Sequence, residues 1–208
     1  MFSENKIYWL KVILVGECGV GKTSIVRQYI DDIFDKNLQS TFGGTFCTKK
    51  IFFGKKRVIL EIWDTAGQER YGSLYRMCYT NSKIVLFVFD LKDKRSFEEI
   101  KNYWFGKVKE ATNDDVIFAV VGNKVDLYDE LGNNDDFIKN EEGRNFAKSI
   151  NALYFETSSK RHENIEDLFK TVAKKYLDTH SSPIGNSSST SKQKKLSEKK
   201  IRQKKNSC

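Results

Sequence analysis

No apolar run in this 208-residue chain is long enough to cross a bilayer. The longest, Ile7 to Val15, has nine residues with Lys11 inside it, against the roughly 20 that a spanning helix needs. The same internal charge is unlike the apolar centre of a secretory leader. Cysteine is sparse: Cys18, Cys47, Cys78 and Cys208 are scattered with no C-x-x-C pair. That pattern speaks against a zinc site and a disulfide framework, and fits a reducing cytosol. The chain also lacks internal repeats, and its one proline is Pro183. Net charge is nearly absent from most of it. Of the total of +8, residues 181–208 carry +7, from Lys192, Lys194, Lys195, Lys199, Lys200, Arg202, Lys204 and Lys205 against Glu198. The remainder is close to neutral, so a nucleic-acid binder, which carries its charge on the folded face, is set aside.

What is present suits one domain with an appendage. Ile7 to Val15 reads as a buried strand ended by Gly16, and Lys22 to about Ile30 as a helix. Phe46–Phe53 and Arg57–Trp63 read as strands of a hairpin turning at Gly54-Lys55. Ile84–Asp90 and Val116–Val121 are continuous apolar runs, the pattern of strands covered on both faces. Ser96 and Glu99 have capping-box spacing for a helix running to about Glu110. Helices at Glu141–Ile150 and Glu163–Leu177 flank a short strand at Leu153–Glu156. Strands alternating with helices imply an α/β sheet with crossover connections, whose ligands bind beyond the carboxyl ends of the strands. Gly16, Asp64, Asp90, Asn123 and Glu156 all fall at such ends. From about Thr179 the composition turns to Ser, Lys, Asn and Gly, too poor in apolar groups to offset ordering, so 179–208 is expected to be a disordered tail.

Gly16-Glu17-Cys18-Gly19-Val20-Gly21-Lys22-Thr23 fits G-x-x-x-x-G-K-[ST] between a strand and a helix. Glycines there let successive backbone N–H groups face a polyphosphate, and the helix, beginning Lys22-Thr23-Ser24, presents its positive end. Lys22 would reach the β/γ oxygens, and Thr23 would offer a hydroxyl to Mg²⁺. A glycine turn before a helix is the bland alternative. Asn123-Lys124-Val125-Asp126 then distinguishes the base. The Asp126 carboxylate can accept from the ring N–H and the exocyclic amine of guanine, a donor pair that adenine lacks, and a buried acceptor rejects the base that leaves it unpaired. Lys124 could lay its stem along the ring plane. The alternative here is a solvated turn after a strand.

With these boxes the chain resembles a small GTPase of the Ras superfamily and, within it, a Rab. The motifs occur in order over residues 7–178: Gly16–Thr23, Thr41 within Ser40-Thr41-Phe42-Gly43, Trp63-Asp-Thr-Ala-Gly-Gln-Glu-Arg70, Asn123–Asp126, and Glu156-Thr-Ser-Ser-Lys160. The resemblance implies a P-loop small G domain over 1–178, with a mostly parallel six-stranded sheet and helices on both faces. It implies that GTP is bound and hydrolysed to GDP, with Mg²⁺ held by Thr23, Thr41 and Asp64. Gln68 would orient the attacking water, with Lys22 and Thr41 also catalytic, and Gly67 would give its N–H to the γ-phosphate. Phe34 would pack on the guanine edge, and Ser158, Ser159 and Lys160 would support the base. Physically this is coherent, because phosphoryl transfer needs charge neutralisation and a positioned water. The segments around Thr41 and Gln68 would loosen once the γ-phosphate is lost. The implied partners are an exchange factor, a GAP, GDI and effectors, and the implied place is the cytoplasmic face of an endomembrane, in exchange with the cytosol.

The chain departs from the Rab pattern in places. Phe42-Gly-Gly-Thr-Phe46 replaces I-G-V-D-F, and Cys78 stands where an aromatic would pack beside Phe46 and Trp63 to shape the effector face. Ser159 replaces an alanine, Cys18 replaces a serine or glycine, and Leu127–Asn140 is about five residues longer than expected, read as a surface loop. The tail ends in one cysteine, Cys208, rather than two, and has no C-a-a-X box. A lipid there plus the basic patch would hold a membrane surface; a free terminal thiol is the alternative. Two other functions remain open on sequence: a nucleotide-binding docking module that does not hydrolyse, and a P-loop ATPase or nucleotide kinase.

Overall fold

The structure is a computed structural model and describes residues 6–41, 43–65, 78–132 and 137–180. Six strands form one sheet in the order β2-β3-β1-β4-β5-β6. They are β1 (Ile7–Val15), β2 (Thr45–Phe53), β3 (Lys56–Asp64), β4 (Ile84–Asp90), β5 (Ile117–Asn123) and β6 (Leu153–Thr157). Only the edge pair β2–β3 is antiparallel, with Phe53 opposite Lys56 across the expected turn. Gly54 there, at φ 58, supplies the left-handed residue that a two-residue hairpin needs. The remaining pairs are parallel, so β4 reaches β5, and β5 reaches β6, by crossover connections.

Strand β4 shows why the sequence pattern works. Ile84 through Phe89 are all fully buried. Ile84, Leu86 and Val88 point into one core, with Ile25 and Tyr29 of α1 (Lys22–Asp31) and Leu168, Phe169 and Val172 of α6 (Ile165–His180). Val85, Phe87 and Phe89 point into the other, with Phe97, Ile100, Trp104 and Val108. Alternation along one strand therefore feeds two layers, and an unbroken apolar run is what two covered faces require. The rings of Tyr29 and Phe169 stack at 3.9 Å, joining α1 to α6. Among the described residues no helix is long and apolar enough to cross a membrane.

Several elements differ from their sequence reading. The helix over the second core begins at Lys94, not Ser96. Asp93 is its cap, its carboxylate accepting the amides of Arg95 (3.0 Å) and Ser96 (3.4 Å). A full negative charge at a helix start outcompetes a hydroxyl further in. Ser96 instead donates to the Asp93 carbonyl at 2.7 Å and accepts from the Asp90 N–H at 3.1 Å. This helix is α2 (Lys94–Glu99), a π-helical stretch (Ile100–Trp104) and α3 (Phe105–Ala111) in succession. Part of the long loop after Asp126 is helical, α4 (Leu127–Leu131), followed later by α5 (Asn140–Ser149). Glu163 is not helical: it exchanges backbone hydrogen bonds with Ser158 (2.9 and 3.1 Å), closing the loop after β6. The last helix continues to His180, into the stretch read as tail.

The chain divides into two units, Met1–Leu177 and Asp178–Cys208. The sheet and both cores belong to the first.

Candidate functional site

The strand ends place the motif residues on one rim. β1 leads into the glycine-rich loop and α1 begins at Lys22. Gly16 is obligatory there, because a Cβ would lie 2.0 Å from the Val88 carbonyl oxygen of β4. Lys22 is buried and donates from Nζ to the carbonyls of Gly16 (2.6 Å) and Glu17 (2.9 Å), so the ammonium spans its own loop. Cys18 is exposed, with Sγ 3.5 Å from the Ser40 hydroxyl.

At the end of β3, Asp64 is 1% exposed, and among the described residues neither carboxylate oxygen has a hydrogen-bond partner of normal geometry. Burial raises its carboxyl above the usual range, while the nearby Thr23 hydroxyl and Lys22 ammonium act the other way. The Thr23 and Thr41 hydroxyls meet at 2.6 Å. Next to Asp64, Thr65 donates to the Leu14 carbonyl at 2.8 Å, tying the end of β3 to β1.

At the other end of the rim the polar groups are partnered within the protein. Asn123 donates from Nδ2 to the Val20 carbonyl at 3.0 Å, and its Oδ1 accepts from Thr157 (3.1 Å) and Ser159 (3.4 Å). Asn123 therefore ties the base loop to the phosphate loop, and Gly21 is needed for the approach: at φ 98, a Cβ would stand 2.3 Å from Asn123 Nδ2. Asp126 accepts from the Ser158 hydroxyl at 2.5 Å. Lys124, at φ 68, pairs with Asp90 at 2.7 Å, which pins its stem. Lys160 pairs with Glu130.

Between the two ends lies a cavity of about 410 Å³, within the range of small-ligand sites. Its lining includes Cys18, Gly19, Gly21, Lys22, Thr23, Ser24, Phe34, Thr41, Asn123, Lys124, Asp126, Ser159 and Lys160, all singled out by sequence. Gly16, Glu17, Val20, Asp64 and Ser158 are not in the lining; they stand behind it, as loop backbone, core or buried support. Gly67, Gln68 and Cys208, together with Phe42, lie outside the described residues. Sequence reasoning missed Thr65 and Glu130, which line the cavity, and Thr157, which orients Asn123. Thr157 lies inside a quoted box; Glu130 carries no motif signal at all.

The sequence model of the Ras family matches residues 11–178. The chain is 37% identical to Ras-related protein Rab-21 of Bos taurus, over 85% of this chain and 77% of that protein. It is 41% identical to GTP-binding protein YPT53 of Saccharomyces cerevisiae, over 80% and 76% respectively. With Ras-related protein Rab-31 of Rattus norvegicus it shares 39%, over 82% and 86%. The chain belongs to the Ras family, as a Rab.

This Rab is thus a small GTPase, a switch that binds and hydrolyses GTP and works in membrane traffic. Regulators and effectors of the family's usual kinds are implied, and Rab homologues act on endomembranes. Where it departs from the family pattern, its local geometry follows. Phe46 is half exposed and meets Trp63 edge-on at 5.2 Å, with Lys11 4.8 Å over the Trp63 ring. Cys78 and Trp63 pack, both partly buried, against the same core. The Ser159 hydroxyl, absent where the family has alanine, is spent on Asn123.

Proposed function

We propose that this cavity is the guanine-nucleotide site, and that the chain divides into 1–178 as the GTP-binding domain and 179–208 as a membrane tether. The observation that carries the reading is the pairing of Asp126 with Ser158: a buried carboxylate held in place, with acceptor capacity left over, at the end of the cavity opposite the phosphate loop. Phosphates would lie along Gly16–Ser24, with Gly67 adding its N–H, and guanine between Lys124, Ser159, Lys160 and Phe34. Ser158 and Asn123 act as positioning residues.

A hard cation fits the other end. Two hydroxyls that touch, beside a buried carboxylate with no hydrogen-bond partner among the described residues, are oxygen donors of the kind that suits Mg²⁺. Among the described residues no three His, Cys, Asp or Glu gather as a metal cage, so Thr23, Thr41 and Asp64 would share the ion with phosphate oxygens and water. When bound, Mg²⁺ neutralises charge on those oxygens. Lys22 would let go of its loop carbonyls for the β/γ oxygens. Gln68 would orient the water whose oxygen attacks the γ-phosphorus as the bond to the β–γ bridging oxygen breaks. Thr41 would be held while the γ-phosphate is present and released with it.

Gln68→Leu tests the hydrolytic half. Single-turnover hydrolysis of preloaded GTP should fall at least tenfold, with GTP binding retained; an unchanged rate removes Gln68 from the reaction. For the tail, a lipid on Cys208 together with the basic run would give two anchoring signals. Cys208→Ser should then leave the protein in the soluble fraction at every salt concentration. Neutralising Lys192, Lys194, Lys195, Lys199 and Lys200 should weaken liposome binding in a salt-dependent way. An unmodified Cys208 on membrane-bound protein, read by mass spectrometry, would overturn the lipid.

A further inference from the structure

Three consecutive bases follow the base loop, and each meets its own carboxylate. Lys160 pairs with Glu130 and Arg161 with Asp129, both acids on α4. His162 Nδ1 stands 2.8 Å from Asp32 Oδ1, just past the end of α1. Asp32 is held for this contact, because its own φ is 58 and Gln28 Nε2 donates to the same oxygen at 2.6 Å. Arg161 also reaches the Asp126 backbone carbonyl at 3.2 Å, and its N–H donates to the Ser158 hydroxyl at 3.1 Å. That hydroxyl is the one bonded to the Asp126 carboxylate. Lys160 and Glu130 line the cavity itself.

We propose that Lys160 and Arg161, with Glu130 and Asp129, form an electrostatic clasp around the base end of the cavity, that the His162–Asp32 contact joins it to the end of α1, and that this clasp sets how long guanine nucleotide stays bound. It rests on the reading of the cavity as the nucleotide site. The six residues come from three segments: the loop after β6, helix α4, and the turn leading to residues 33–41. A base leaves by parting these segments, and parting them separates the pairs. The side chains are between 37% and 76% exposed, so the pairs are screened and add little to folding. They act on the opening step instead. Asp129, Glu130, Arg161, His162 and Asp32 are positioning residues; none of them reads the base edge or the phosphates.

The test is dissociation of a fluorescent GDP analogue from the full-length protein after addition of excess GDP, at low and high salt. Asp129→Asn with Glu130→Gln removes two carboxylates while keeping their size. At low salt this variant should release the analogue roughly five- to tenfold faster than the wild type. At high salt the two rates should converge, because the wild type loses what the variant already lacks. Exchanging one pair, Arg161→Asp with Asp129→Arg, should recover most of the slow release, which a merely structural role of either residue would not do. Equal rates at low salt, or a difference that persists at high salt, would overturn the clasp. A wild-type release rate indifferent to salt would overturn it without any variant. A wild type that never captures the analogue would instead overturn the reading of the cavity, and the clasp with it.

Discussion

The two ends of the cavity are built on opposite principles. At the base end Asn123, Asp126, Thr157, Ser158 and Ser159 are at most 5% exposed, and each is hydrogen-bonded within the protein. At the proposed metal and switch end Asp64 is as buried but has no hydrogen-bond partner among the described residues, and residues 33–37 are exposed. There, Thr41 meets Thr23 and Ser40 meets Cys18, side chain to side chain. A site satisfied in advance binds without reorganising and so selects its ligand. A site that lacks a partner is completed by the ligand, and so can report whether the ligand is there. On the proposed reading, recognition and switching sit at opposite ends of one pocket.

The largest effect is expected where the two ends are joined. Gly21→Ala would combine a strained φ of 98 with a Cβ 2.3 Å from Asn123 Nδ2. Nucleotide affinity should fall about 100-fold, near 2.7 kcal/mol, measured by titration with labelled GDP. Retained affinity would mean that the ends are independent. Next comes the base end alone. Asp126→Asn exchanges an acceptor for a donor, which suits the oxygen that xanthine carries in place of the guanine amine. Preference should move from GTP toward XTP by about tenfold or more, or ~1.4 kcal/mol per tenfold, in competition binding. Full GTP preference in the variant would show that the carboxylate does not read the base.

At the switch end a substitution should have two opposite effects. Asp64→Asn removes a buried charge with no hydrogen-bond partner among the described residues, so the nucleotide-free protein should gain about 1 kcal/mol of stability in urea unfolding. The same variant should lose magnesium-dependent GTP binding. If both quantities fall, Asp64 is a structural acid, and the contrast between the ends dissolves. The smallest effect is expected from Thr157→Val, which leaves Asn123 Oδ1 with Ser159 alone. GDP dissociation should quicken about fivefold, near 1 kcal/mol, with the hydrolysis rate of bound GTP unaltered. A changed hydrolysis rate would mean that the base end also shapes the reaction centre.

Much of this was legible without coordinates, for definable reasons. Ile84–Asp90 reads as a two-face strand because every residue from Ile84 to Phe89 is apolar, and it is one. The glycine-rich loop reads as a phosphate cradle from its G-x-x-x-x-G-K-[ST] spacing between a strand and a helix; the structure adds that Gly16 and Gly21 sit where backbone and side chain approach closely. The start of the second-core helix was misread, because Ser96 and Glu99 form a capping box in spacing alone, while Asp93 three residues earlier has the stronger acceptor. Helix α4 has no periodic signal in the sequence because it is only five residues long, with Leu127 and Tyr128 partly buried and the rest exposed. Glu130 escaped notice for the same reason, since an acid on an exposed turn looks like any other solvated charge.

By itself, then, the sequence determined the α/β class, the order of the strands' motifs and the chemistry of the nucleotide boxes. These depend on residue type and short spacing, through burial and backbone conformation that act locally. Only the tertiary structure decided that Asn123 would close on Val20, 103 positions away in the chain, and that Asp64 would be buried beside the Thr23 hydroxyl and the Lys22 ammonium. It alone decided, too, that Lys160, Arg161 and His162 would each find an acid. Those outcomes depend on where the sheet brings distant strand ends together, and no local pattern of residues carries that distance.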